Sequence, residues 1–230
     1  MSTGMTDHPT AQAMESMVHV RPWTATESGL MLLMWAVMMI AMMAPTAVPM
    51  TLVYAAVARK AVSQDDPVAP TFVFVAGYLA MWSLFSVVAT IAQWSLDRLA
   101  LLSPMMVSAS PVLGGALLIG AGIYQLTPYK DACLAHCRAP AHFISQHWHG
   151  GSAGAFRMGL ELGGYCLGCC WILMGLLFIG GVMNLLWIAA IALFILLEKT
   201  MPFAETAGRV AGAAMILVGL VGLTGLVALG

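Results

Sequence analysis

Residues 29–57 read GLMLLMWAVMMIAMMAPTAVPMTLVYAAV, a run without a charged side chain. A membrane helix needs roughly 20 apolar residues, so length and composition alone predict a transmembrane helix here. Pro45 and Pro49 lie inside it. Each removes a backbone donor, which predicts a kink or a break. Working outward, comparable stretches fall at about 71–95, 111–129, 155–181, 184–200 and 208–229. The fold class expected is all-α, a polytopic membrane helix bundle of about six transmembrane helices. The fourth and fifth are separated only by the region from Gly180-Gly181 to Asn184. That spacing predicts a tight hairpin, or else one broken segment and five spans.

The whole-chain numbers agree. The 230 residues are 61% apolar and 8% charged, with a net charge of -1. Soluble domains run nearer half apolar and a quarter charged. This balance excludes a soluble globular enzyme, a disordered chain and a nucleic-acid binder that relies on bulk positive charge. Period-two alternation is absent, which argues against an outer-membrane barrel. No basic region precedes a short apolar run at the N-terminus, so no cleaved signal peptide is expected. The lipid bilayer is the expected surroundings. The organisation expected is a non-cytoplasmic Met/His-containing tail over 1–28 and a single transmembrane domain over 29–230. A Cys/His-rich loop at 130–154 would be its largest excursion.

Six spans sort the basic residues two against seven. Arg21 and Arg98 fall on one side; Arg59, Lys60, Lys130, Arg138, Arg157, Lys199 and Arg209 fall on the other. Under the positive-inside rule, loops one, three and five face the cytoplasm and both termini face away.

Two cysteine groups carry the chemistry. All five cysteines lie within 133–170, an odd number that does not read as a secreted disulfide framework. Cys133 and Cys137 are i and i+4, on one helix face, with His136 beside them. His142, His147 and His149 follow in the same loop. Thiolate and imidazole suit Cu(I) or Zn(II); two apolar cysteines beside a solvated His loop is the plainer alternative. The second group is Cys166-Leu-Gly-Cys169-Cys170-Trp171. At about 100° per residue its three cysteines share one arc, opposite Gly164, Gly168 and Gly175. Gly164/Gly168 and Gly159/Gly163 have the GxxxG spacing that lets membrane helices, or copies of the chain, approach closely. Here too the plainer alternative is free cysteine at ease among apolar neighbours.

Counting from the charged edges puts the two groups roughly 20 Å apart on straight helices. One shared site requires the segment after Pro128 to fold back. Otherwise there are two sites, and both arrangements remain open.

Methionine occurs 19 times. Met31, Met34, Met38 and Met42 form a stripe at helical spacing, flanked by Met39 and Met43. Thioether is a soft ligand, yet Met is also a common core filler, and packing is the favoured reading of the stripe alone. Met5, His8, Met14, Met17 and His19 give the tail a similar character. Glu198 and Lys199 are expected at the cytoplasmic interface. Glu161 projects nearer the glycine face than the sulfur. Gln125, Asp131 and Asn184 are expected to make interhelical hydrogen bonds. No phosphate loop, dinucleotide fingerprint, nucleophile elbow or zincin helix is present, so no catalysed reaction is assigned.

Several motifs occur in a fixed order: Met42-Met43-Ala44-Pro45, Gly77-Tyr78 with Trp82, and Tyr124-Gln125-Leu126-Thr127-Pro128-Tyr129-Lys130. They continue with Cys133-x-x-x-Cys137-Arg138-x-Pro140, Cys166-x-Gly168-Cys169-Cys170-Trp171, Met183-Asn184-Leu185 and Glu198-Lys199. Over about residues 30–200 the chain resembles a bacterial family of predicted metal-binding integral membrane proteins, a domain of unknown function. The resemblance implies a bound metal and no established reaction.

The leading reading is therefore a soft-metal binding membrane protein of the bacterial inner membrane. Its metal is copper first and zinc second. It would act in metal delivery, metalloenzyme maturation or transport. Cys133, Cys137, Cys166, Cys169 and Cys170 would be ligands, with His136 a partner and His142, His147, His149, Met38 and Met42 weaker candidates. A metallochaperone or a metalloenzyme under assembly would be its partner. Two alternatives stand beside it: a membrane thiol–disulfide conduit through Cys166-x-x-Cys169, and a scaffold whose cysteines merely pack.

Overall fold

The computed structural model describes residues 23–62, 69–99, 101–102, 110–201 and 203–227. The tail residues Met5, His8, Met14, Met17 and His19 lie outside the described residues. Within them the chain is helical: α1 (Ala25–Val62), α2 (Thr71–Arg98), α3 (Pro111–Gln125), α4 (Pro128–Arg138), α5 (Pro140–His147), α6 (Gly151–Gly175), α7 (Leu177–Gly180), α8 (Leu185–Thr200) and α9 (Ala204–Val227). α1 continues through Pro45 and Pro49, so no break occurs there.

Four stretches are long and apolar enough to cross a membrane: Ala25–Lys60, Thr71–Arg98, Gly151–Gly180 and Glu205–Thr224. A fifth arises if α3 and α4, bent by 65°, count as one span. The expected six is not reached, because α8 has 16 residues and spans about 24 Å at 1.5 Å per residue. The 130–154 segment, expected as a loop, is largely the helices α4 and α5.

Turn chemistry in the sequence explains these boundaries. Ser110 caps α3 by accepting from the Leu113 amide, and Pro111 sits in the first turn. Thr127 and Pro128 repeat that pattern at the start of α4. Proline there loses no helical hydrogen bond and pre-sets φ. The hairpin between α6 and α8 is as tight as expected. Gly181 has φ of 92°, which favours glycine, and Asn184 accepts from the Trp187 amide. Asn184 is thus a helix cap rather than an interhelical bridge. Trp187 closes the hairpin, its indole donating to the Leu176 carbonyl at 2.8 Å.

α6 is the central helix. Over half of its span is buried, against a third or less for the other long helices. Glycine makes this possible. Gly159 meets the Phe74 carbonyl of α2, Gly77 meets the Phe156 carbonyl, and Gly163 faces Met81. The Gly159/Gly163 face is thus occupied within the chain. A similar seam joins α3 to α9 through Gly122 and Gly212. The core between α1, α2 and α6 holds Trp35, Met39, Met43, Tyr54, Phe74, Trp82 and Met158, with Tyr54 stacked on Phe74 at 4.6 Å.

Candidate metal centre

The bend after α3 decides the geometry. At Leu126–Thr127 the chain turns by 65°, and α4 runs antiparallel along α6. Just before the bend, the Tyr124 hydroxyl donates to the Gly168 carbonyl and its ring meets Trp171 edge-on at 5.7 Å. Cys133 Sγ then lies over Gly168, 2.8 Å from where a Cβ would stand. One turn on, the His136 ring stacks flat on Tyr165 at 4.1 Å. The segment after Pro128 does fold back, and the 20 Å gap expected of straight helices closes.

The two cysteine groups therefore meet. Cys137 of α4 and Cys166 of α6 line the same small cavity. Lys199 Nζ donates to Cys166 Sγ at 2.8 Å, and the Tyr78 hydroxyl is 3.0 Å from the same sulfur. The Cys169 and Cys170 thiols donate to the Cys166 carbonyl at 3.0 and 2.9 Å. All five cysteines are free. Cys166, Cys169 and Cys170 are buried, while Cys133 and Cys137 are half-buried. Thr46, Tyr78, Cys137, Cys166 and Lys199 line a cavity of about 10 Å³, room for about one water-sized sphere. Among the described residues, no group of three or more His, Cys, Asp or Glu side chains stands ready to hold a metal ion.

The histidines form a separate group at the edge. His136 Nδ1–H donates to the Ala132 carbonyl at 2.9 Å, and His147 Nδ1–H to the Phe143 carbonyl at 3.0 Å. Their rings are 6.5 Å apart. His149 Nδ1–H donates to the His147 carbonyl at 2.7 Å. His142 is exposed. Met38 and Met42 line a groove between α1 and α8. Met31 instead accepts from Gln93 Nε2 at 3.6 Å, so it leaves the stripe. Met39 and Met43 belong to the core.

Three groups at the sulfur centre were missed by sequence reasoning: Lys199, Tyr78 and Thr46. Lys199 was expected at the interface together with Glu198, yet both are buried. Glu198 accepts from Lys130 and Gln125, which makes Gln125 the interhelical bridge expected of it. The signal was the rule that an ionisable group inside an apolar stretch is costly and functional. Asp131 pairs with Arg209 at 3.8 Å, and Glu161 pairs with Arg157 at 2.9 Å. Arg138 ties α4 to the α8–α9 connection by donating to the Met201 carbonyl at 2.9 Å.

An apolar helical bundle with a buried thiol cluster at the crossing of two of its helices is the class that fold and site define. The model of a family described as "PpoB2: Copper chaperone" matches residues 32–222. That is most of the chain, and the chain belongs to this copper chaperone family. The metal-related bacterial family expected from the motifs is borne out at that level. No curated protein and no solved structure matches the chain.

Proposed function

We propose that this chain is an integral membrane copper chaperone. It holds Cu(I) in one thiol site between α4 and α6 and passes it to a copper-dependent partner protein. The observation that carries the reading is the docking of Cys133 and Cys137 against the Cys166–Cys170 segment. Sulfur is the soft donor that Cu(I) prefers, and family membership selects copper over zinc. Cys133, Cys137, Cys166, Cys169 and Cys170 supply the donors, and His136 with His147 stands at the half-exposed edge.

The location proposed is the bacterial inner membrane. Leu30, Phe72, Leu84, Leu186 and Val221 are each more than half exposed, an apolar exterior that suits lipid better than water. Six crossings require α8 to span as well. With the buried Lys130 and Lys199 set aside, Arg59, Lys60, Arg138, Arg157 and Arg209 still outnumber Arg21 and Arg98, which favours loops one, three and five in the cytoplasm, where thiols stay reduced.

The test is metal content by mass spectrometry after anaerobic, reducing purification, beside a variant with all five cysteines changed to serine. Stoichiometric copper that vanishes in the variant is expected. Full copper in the variant would overturn the site. Two metal-free samples, even after reconstitution with Cu(I) and Zn(II), would overturn the metal reading in favour of the thiol–disulfide one.

A further inference from the structure

α1 carries a second line of sulfur that the thiol site does not use. Met34, Met38 and Met42 recur every fourth residue, so they share one face. Met42 is buried against the core and Met34 and Met38 pack partly against it, yet all three also border a groove. The groove has a volume of about 560 Å³ and lies between α1 and α8, and Met183 of the α6–α8 hairpin joins them from the opposite wall. The other lining groups are Val37, Ala41, Val182, Leu185, Ile188, Ala189 and Ala192. Among the described residues, every side-chain heteroatom lining this groove is therefore a thioether sulfur.

The same face continues toward the cysteines. Four residues beyond Met42 comes Thr46, about 6 Å further along the helix. Thr46 lines the small cavity with Cys137, Cys166 and Lys199, and Met50, another turn on, lines it too. Lys199 Nζ donates to Thr46 Oγ1 at 3.3 Å and to Cys166 at 2.8 Å. One stripe of α1 thus runs from a thioether groove into the thiol centre.

We infer that Met34, Met38, Met42 and Met183 form a second Cu(I) site, a staging point whose nearest member, Met42, stands one helical turn from Thr46 at the thiol centre. The chemistry is selective. A thioether is a soft neutral donor that suits Cu(I) and offers little to Zn(II), Mg or Ca. It has no proton to lose, so Cu(I) binds there with no change of oxidation state and no proton release. A neutral apolar groove also holds a monovalent ion more loosely than thiolates do, as handover requires. The inference rests on the copper reading above.

The test uses the full chain in detergent, labelled with selenomethionine and loaded with Cu(I). X-ray absorption at the copper edge reports Cu–Se scattering, and chelator competition gives stoichiometry and affinity. The expected result is a Cu–Se shell that survives Cys166→Ser. It disappears in Met34→Leu/Met38→Leu/Met42→Leu, together with the weaker class of bound copper. Met→Leu conserves volume, and such swaps are usually well tolerated. Met183→Leu alone lies at a 54% exposed position and should weaken the same class about tenfold, the scale at which ligand-shell changes act. Met39→Leu/Met43→Leu, on the core face of the same helix, should keep the Cu–Se shell. A wild-type spectrum without Cu–Se, or a triple variant with unchanged stoichiometry, would overturn the staging site. Failure of the thiol site reads differently, as copper binding unaltered by Cys166→Ser.

Discussion

Replacing Gly168 by alanine would put a Cβ 2.8 Å from Cys133 Sγ. Comfortable non-bonded contacts fall near 3.5–4.0 Å, so the sulfur must retreat by about 1 Å. Cys133 Sγ ends a short side chain and can rotate away, which keeps the cost to the fold small. Overpacking costs about 1–3 kcal/mol, and alanine returns about 1 kcal/mol of helix propensity over glycine. The net is about 0–2 kcal/mol. The cost to metal binding is larger, because coordination tolerates only about 0.2 Å. We expect copper affinity to drop at least tenfold, about 1.4 kcal/mol. Gly164→Ala is the matched control, since its Cβ would meet only Met81 Cε at 3.8 Å within ordinary contact range. Chelator competition for Cu(I) and thermal unfolding in detergent supply the two readouts. Equal copper affinities in the two variants would refute the docking of Cys133 on α6.

Gly159→Ala should behave unlike either, since its Cβ would overlap the Phe74 carbonyl and neither backbone can rotate away. It should unfold or fail to assemble, seen as a lost melting transition. Lys130→Met leaves Glu198 buried without its cation and should destabilise by about 3–5 kcal/mol. Adding Glu198→Leu should recover most of that loss in the same melt. Lys199→Met removes the ammonium that donates to Cys166. A charge-assisted hydrogen bond is worth about 1.5–3 kcal/mol, so copper affinity should fall roughly ten- to a hundredfold while Arg at that position restores part of it. Arg157→Ala breaks an i,i+4 pair whose arginine is 66% exposed, and stability should change by no more than about 0.5 kcal/mol.

The apolar helices were legible from hydropathy, and Gly181 with Asn184 closes the hairpin where a tight one was expected. The caps at Ser110-Pro111 and Thr127-Pro128 went unread, so a helix break inside the 111–129 stretch and the helices over 130–147 were not anticipated. The span count was less legible, because α8 carries the hydropathy of a span without its length. The site was legible as a set of residues and not as an arrangement. Nothing in the spacing of Cys133 and Cys137 fixes the 65° bend that lays them on α6. That bend depends on Gly168 leaving room for Cys133 and on Tyr165 offering a ring to His136, contacts between segments some thirty residues apart. Lys199 was misplaced for a related reason. A charge ending an apolar run reads as an interfacial anchor unless a buried partner is known, and its partner Cys166 lies on another helix.

Whether the two cysteine groups make one site is measured most directly by a double-variant cycle on bound copper. Cys137→Ser, Cys166→Ser and the combination would be loaded with Cu(I) and their tightly bound metal counted. A shared site predicts that either single change removes the same thiol-bound copper and that the double variant loses no more. Independent losses that add in the double variant would contradict it, and so would full retention in all three.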